Sequence, residues 1–348
     1  MDYSFQFRRY RRPLRAPLRT AQGAWTEREG IIVRLEDDSG RVGFGEIAPI
    51  PWFGTETIAE AEEICRKFGT TVRAEVLDSL SERFGCVRFA LAQARSEVAR
   101  LDPKALQGAR TAESALGSTR STRLPVAALL PAGREALKVL PVKLDGGFLA
   151  FKWKVGVGAM DDELAIFDDL LAALPAYAKL RLDANGAWER RHAAKWLERC
   201  AERPVEFVEQ PVAPADEAAL LGLAADYPVT LALDESITGL AAARRWQGLG
   251  WPGVFVIKPA LAGPLSELVA WVAASKADVV LSSALETALG RSAILRAALT
   301  QPLTKRALGF GVGEIFGDRR WDGPVIGPLA DASCLAANPG EGLWAAIG

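Results

Sequence analysis

The chain has 348 residues, of which 49% are hydrophobic and 24% charged, with a net charge of −1. That length buries a large core, and the balance is that of a soluble globular protein, which excludes fibrous and disordered classes. Near-neutral charge gives no global electrostatic reason to bind nucleic acid or a membrane surface, and no apolar run approaches the ~18 residues that cross a bilayer.

The chain opens on an arginine run, Arg8, Arg9, Arg11, Arg12, Arg15 and Arg19, with no apolar segment behind it, so no secretory signal is expected. The run reads as a solvated edge strand and loop; the sharper alternative lays some of these arginines over an anionic substrate. Gly30 to Glu46 holds two alternating runs around Asp-Asp-Ser-Gly, a hairpin pattern. Thr57 to Phe68 and Glu82 to Arg100 carry apolar residues at helical spacing. Residues 1–106 therefore read as an α+β unit, and 107–124, rich in Gly, Ser, Thr and Ala, as a linker. The four cysteines, Cys65, Cys86, Cys200 and Cys334, lie far apart and read as buried, reduced thiols of a cytoplasmic protein.

From 125 to 320 short β-type runs alternate with Ala/Leu-rich helical stretches. The runs are Pro125–Leu130, Ala150–Val155, Lys179–Asp183, Val205–Glu209, Val229–Asp234, Val254–Lys258, Asp278–Ser282 and Arg306–Gly311. Eight strand–helix units predict a parallel sheet closed into a TIM-type barrel, an α/β fold. Residues 321–348 have no place in that series and are expected to pack back on the first unit.

Charged residues end successive strands: Lys154, Asp183, Glu209, Asp234 and Lys258, spaced 29, 26, 25 and 24 residues apart. One strand, one helix and two loops fill each interval, which places all five on the C-terminal rim, where barrel active sites sit. Asp183, Glu209 and Asp234 end three adjacent strands. Their mutual repulsion asks for a cation, and oxygen ligands suit a hard ion such as Mg²⁺, with Mn²⁺ as a substitute. The competing reading has each acid capping a helix or pairing with an arginine such as Arg181, itself also a candidate for substrate binding.

Lys152 and Lys154 alternate with Phe151 and Trp153 on one strand, so the lysines share a face. Turned inward at the rim, like charge and desolvation would lower an ammonium pKa and let a lysine act as a base. Lys258, four strands on, should face that pair across the mouth. The one histidine, His192, is expected on a helix surface, so no imidazole competes for the role. Other readings remain open: a Schiff-base aldolase built on Lys258, or a binding barrel without turnover.

These residues resemble the enolase superfamily, specifically its muconate-lactonizing subgroup, through Lys152-x-Lys154, Asp183, Glu209, Asp234 and Lys258. The resemblance implies a capping α+β domain over a modified (β/α)7β barrel, Mg²⁺ on the three acids, and acid–base lysines on the second and sixth strands. Pro17 to Gly30 and Gly45 to Thr57 resemble the cyanobacterial and plastid o-succinylbenzoate synthases of menaquinone and phylloquinone synthesis. In that family's terms Lys154 takes the proton α to the ring carboxylate and returns it to the departing hydroxyl. Lys258 then holds its ammonium over the planar intermediate, and Lys152 neutralises the carboxylate. The resemblance also implies a small dicarboxylate substrate. Ser282, Ser283 and Glu286 at the end of the seventh strand are expected to line the pocket, as is Thr20. The loops expected to close it are Thr20 to Glu29 and Trp52 to Gly54. An N-acylamino acid racemase needs the same two lysines. A dipeptide epimerase is disfavoured, because Leu308 to Glu314 lacks the Asp-x-Asp that often holds a substrate ammonium. Oligomeric state is left open.

Overall fold

The computed structural model describes residues 2–20, 23–101, 123–312, 315–337 and 339–347; the side chains of Arg19, Thr20 and Gly23 are also outside the description. Most of the expected linker, 107–122, lies outside the described residues. The N-terminal half opens with three strands, β1 (Asp2–Thr20), β2 (Gly23–Glu36) and β3 (Val42–Ile47), followed by a single helical turn at Pro51–Phe53. Then come α1 (Ile58–Phe68), β4 (Thr71–Arg73), α2 (Ala74–Asp78) and α3 (Gly85–Arg100). The strands form one antiparallel sheet in the order β3-β2-β1-β4. The turn expected at Asp-Asp-Ser-Gly joins β2 to β3, where Asp37 accepts the amides of Ser39 and Arg41. Helix α1 starts on a reciprocal cap between Thr57 and Glu60.

All eight expected barrel runs are strands: β5 (Leu124–Leu130), β6 (Ala150–Lys154), β7 (Lys179–Asp183), β8 (Val205–Glu209), β9 (Leu231–Leu233), β10 (Val254–Ile257), β11 (Val279–Leu281) and β12 (Leu308–Gly311). They pair in parallel in the order β11-β10-β9-β8-β7-β6-β5-β12, and a parallel bridge from Ser282 to Gly309 brings the two ends together. The sheet is thus a ring. Helices follow the first seven strands: α4 (Glu135–Asp145), α5 (Met160–Ala173), α6 (Arg190–Cys200), α7 (Glu217–Asp226), α8 (Leu240–Gly248), α9 and α10 (Pro259–Ala262, Leu265–Ser275) and α11 (Ala288–Thr300). Strand β12 must pass close to β5, and a Cβ at Gly311 would sit 2.3 Å from the Ala127 carbonyl oxygen, which explains the glycine there.

The tail follows two routes. Strand β13 (Leu329–Ala330) pairs antiparallel with the start of β5, and α12 (Pro339–Ile347) lies on the N-terminal sheet, where Leu343 joins Tyr10, Ile32, Phe44, Leu289 and Trp321 in one apolar cluster. A second tie is polar. Glu46 of β3 is fully buried at the N-terminus of α11, where it accepts the amides of Thr287 and Gly290 and the Thr287 hydroxyl (2.6 Å), with the Tyr10 hydroxyl at 2.5 Å. A carboxylate there meets free amides and the positive end of the helix dipole.

Four of the six arginines of the run are taken up by neighbours. Arg9 and Arg11 pair with Glu29 across the β1–β2 ladder, Arg8 donates to the Trp344 carbonyl, and Arg12 is buried against Asp322 at 2.6 Å and over the Phe316 ring at 3.7 Å. None of these four lines the central cavity. His192 is exposed on α6, and all four cysteines are buried and free of disulfides. Among the described residues no helix is long and apolar enough to cross a membrane.

Candidate active site

On β6 the alternation is decisive. Trp153 is fully buried on the outer face against Trp196, so Lys152 and Lys154 point into the ring. Cross-strand register sets Lys154 beside Asp183 and Asp183 beside Glu209. Asp234 follows β9 directly, and Lys258 follows β10. Together they wall a cavity of about 280 Å³ at the C-terminal rim, which Arg181, Ser282 and Ser283 also line. Trp25, Trp52 and Phe53 of the N-terminal half complete it from above, with the two indoles packed edge to face at 4.7 Å. Both segments expected to close the site therefore contribute to its roof; Thr20 lies among the residues whose side chains are not described.

The three acids are buried, and the nearest positive charges are lysines. Lys152 Nζ stands 2.8 Å from Asp183 and 2.7 Å from Glu209, and Lys258 Nζ pairs with Asp234. Lys258 also lies 4.0 Å from the Phe53 ring centre. Burial alone would lower the Lys152 pKa, but Asp183, Glu209 and Asp234 outweigh it and hold it well above the ordinary lysine value. This corrects the expectation that crowding at the rim would lower it: the crowd around Lys152 is anionic. Burial, reinforced by Asp183 and Asp234, pushes the Glu209 carboxyl well up despite Lys152. Burial and the same two neighbours push Glu235 to about 7.

Those upward shifts test the site for a cation. Among the described residues no three acidic side chains are already gathered around one point fit for a metal ion. Instead Lys152 fills the place between Asp183 and Glu209, as a stand-in cation. Even with that ammonium present, burial and the neighbouring carboxylates raise the Glu209 and Glu235 pKa values, a destabilisation of their charged forms that a further positive charge would relieve. An all-oxygen set short of positive charge fits a hard divalent ion.

Three residues that spacing could not reveal complete the arrangement. Gln210, fully buried, accepts the amides of Asp234 and Ser236 and donates to Ser236 Oγ and the Val212 carbonyl, tying the end of β8 to that of β9. Asn185 donates to Glu235 at 2.9 Å. Glu163 of α5 accepts the amides of Gly156, Val157 and Gly158 and so fixes the loop that leaves Lys154. The strings Asp183-Ala-Asn185 and Glu209-Gln210-Pro211 offered the only hint of the first two.

Other expectations are corrected. Glu286 is not part of the cavity wall; it folds back to accept the Ala284 amide at 2.6 Å and the Ser283 hydroxyl. Arg181 does not pair with the rim acids. Its Nε donates to Glu206 at 2.7 Å and its Nη1 to the Ala307 carbonyl, although the residue does line the cavity floor.

Comparison with known proteins covers nearly the whole chain. Residues 137–313 match the family model described as enolase C-terminal domain-like, and residues 3–98 the model of the MenC N-terminal domain. An o-succinylbenzoate synthase of Thermosynechococcus vestitus is 41% identical over 93% of this chain and 96% of its own. The chain belongs to the o-succinylbenzoate synthase family of the enolase superfamily. A second family member, from Desulfotalea psychrophila, is 29% identical over 85% of this chain and 90% of its own. Among solved structures, the Thermosynechococcus elongatus synthase complexed with Mg superposes with a TM-score of 0.83 at 37% identity, covering 99% of both chains. A dipeptide epimerase of Enterococcus faecalis shares the fold, with a TM-score of 0.80 at 24% identity over 98% of this chain and 99% of that one.

Proposed function

We propose that the protein eliminates water from 2-succinyl-6-hydroxy-2,4-cyclohexadiene-1-carboxylate to give o-succinylbenzoate, with Mg²⁺ on Asp183, Glu209 and Asp234. The observation that carries this reading is the placing of lysines on two opposing walls of one cavity, Lys152 and Lys154 on β6 and Lys258 after β10, with buried acids between them. The bound ion supplies positive charge at the substrate carboxylate, which makes the neighbouring C–H acidic.

Lys154, neutral, takes the proton from the carbon bearing the carboxylate. The C–H electron pair first passes into the carboxylate to give a planar enediolate, and then forms the new ring double bond as the C–O bond to the β-hydroxyl breaks. The same lysine, now an ammonium on the same face, gives its proton to the leaving oxygen, so water departs and the ring becomes aromatic. Lys258 keeps its ammonium over the opposite face of the planar intermediate, where the Phe53 ring holds it. Asp183 and Glu209, which pair with Lys152 here, would hold the ion, and the Lys152 ammonium would then serve the substrate carboxylate. Trp25, Trp52 and Phe53 exclude water above, and Arg181, Ser282 and Ser283 serve the polar ends of the substrate. The division into a cap of residues 1–106 with the tail 321–348, a linker 107–124 and a barrel of 125–320 belongs to the same proposal.

The test is loss of cyclohexadiene absorbance by the purified protein in Mg²⁺ and then in EDTA. Rapid, metal-dependent loss is expected. Absence of turnover, with proton exchange in D₂O on N-acylamino acids instead, would replace dehydration by racemisation.

A further inference from the structure

Away from the active site, a second cavity of about 290 Å³ opens between α3 of the N-terminal half and helices α10 and α11 of the barrel. Arg100, in the last turn of α3, and Arg296 of α11 both line it. Among the described residues neither has a carboxylate within ion-pair distance. Burial lowers the Arg296 pKa, and the Arg100 charge lowers it further, a repulsion that an anion between them would relieve. The acid on the same wall, Glu97, attracts both arginines, but one carboxylate can balance only one of the two charges, and it also accepts the Phe44 amide at 2.8 Å.

Ser96 and Ser266 add hydroxyls to the lining, and Ser266 stands in the first turn of α10, whose N-cap, Pro264, offers no side-chain acceptor to the free amides there. Donors thus come from three elements on different sides, an arrangement that suits a tetrahedral oxyanion better than a planar carboxylate. The volume, close to the 280 Å³ of the active site, leaves room for an esterified group beside the charge.

We propose that this cavity binds a phosphate group, with Arg100 and Arg296 as its principal ligands, and that the bound anion clamps α3 to α10 and α11. The site is separate from the catalytic cavity and shares none of its lining residues.

The test uses the full-length protein with Mg²⁺ at constant ionic strength. Calorimetric titration and thermal unfolding are followed with inorganic phosphate, with glycerol 3-phosphate, and with chloride as control. Saturable binding of a phosphate compound is expected, with a rise in melting temperature that chloride does not give; tighter binding of the ester would point to an esterified ligand, tighter binding of phosphate to the free ion. Binding should weaken at least ~tenfold in Arg100→Gln/Arg296→Gln, while dehydration in the absence of phosphate is unchanged. Arg100→Glu, an exposed single change, serves if the double variant folds poorly and should show the same loss. No saturable binding, or binding undiminished in these variants, overturns the proposal, the latter by placing the anion among the lysines of the active site.

Discussion

Replacing Gly290 by alanine should destabilise the protein, although the same change inside most helices does the reverse. Helix propensity alone favours alanine by about 1 kcal/mol. Gly290, however, stands in the first turn of α11, and its added Cβ would lie 2.9 Å from Glu46 Oε2 and 3.2 Å from the Glu286 Cβ. Glu46 cannot swing aside freely, because it is buried and accepts from Tyr10, Thr287 and the Gly290 amide itself. Overpacking of this kind costs about 1–3 kcal/mol. Each buried donor deprived of its acceptor adds about 1–3 kcal/mol, less than additively within one cluster. The unfavourable side wins, and a net loss of about 2–4 kcal/mol is expected. Side-by-side thermal unfolding of Gly290→Ala and the parent protein measures it, and the variant should melt several degrees lower. Equal or greater stability in the variant would refute the view that Glu46 locks the cap sheet to this helix.

Lys154→Ala should leave the fold intact by circular dichroism and lower turnover at least ~100-fold, the usual span of a lost general base; activity near the parent value would remove Lys154 from the chemistry. Phe53→Leu keeps the apolar bulk but removes the ring over Lys258, so kcat/KM should fall about fivefold, and an unchanged value would mean the ring holds no charge in place. In EDTA, stability should decline as pH rises. Glu235 has a folded pKa of about 7, above its ordinary value of 4.5, so the folded state binds the extra proton between those values and loses that advantage on passing through them. At most about 3 kcal/mol is at stake, and Glu235→Gln should flatten the profile; a parent protein whose stability is flat or rising across pH 4.5 to 7 would contradict the assigned environment.

Much of this was legible because barrels write their layout into local periods. The β-run, helix, β-run rhythm located every strand of the ring, and the alternation Phe151-Lys-Trp-Lys154 told which face of β6 turns inward. What stayed hidden is set by partners far along the chain. Glu46 meets Thr287 across 241 residues, and no pattern near either residue announces the contact. Gln210 looks like one residue of a loop until β9 is placed beside it. The Lys152 environment was misjudged for the same reason. Its spacing from Lys154 is visible in the sequence, whereas its two carboxylate partners come from neighbouring strands and reverse the sign of the expected shift.

The charge around the cavity bears on how a dicarboxylate could enter it. Asp183, Glu209, Asp234 and Glu235 face Lys152, Lys154, Lys258 and Arg181 around the cavity, so without a cation the two signs balance. A dianion entering that cavity meets no net attraction. A divalent ion held by the acids would tip the balance to positive and would leave the Lys152 ammonium available to an anion, so metal and substrate binding are expected to be coupled before any bond breaks. At ~4 Å separation and an effective dielectric near 20, each unit of charge added is worth about 4 kcal/mol before screening, enough to decide binding. Binding of the product, o-succinylbenzoate, isolates this effect from chemistry. Calorimetric titration should give saturable binding in Mg²⁺ and at least ~100-fold weaker binding in EDTA. If the product binds equally well without metal, the lysines alone suffice to draw in the dianion, and the ion's part is confined to the proton-transfer step.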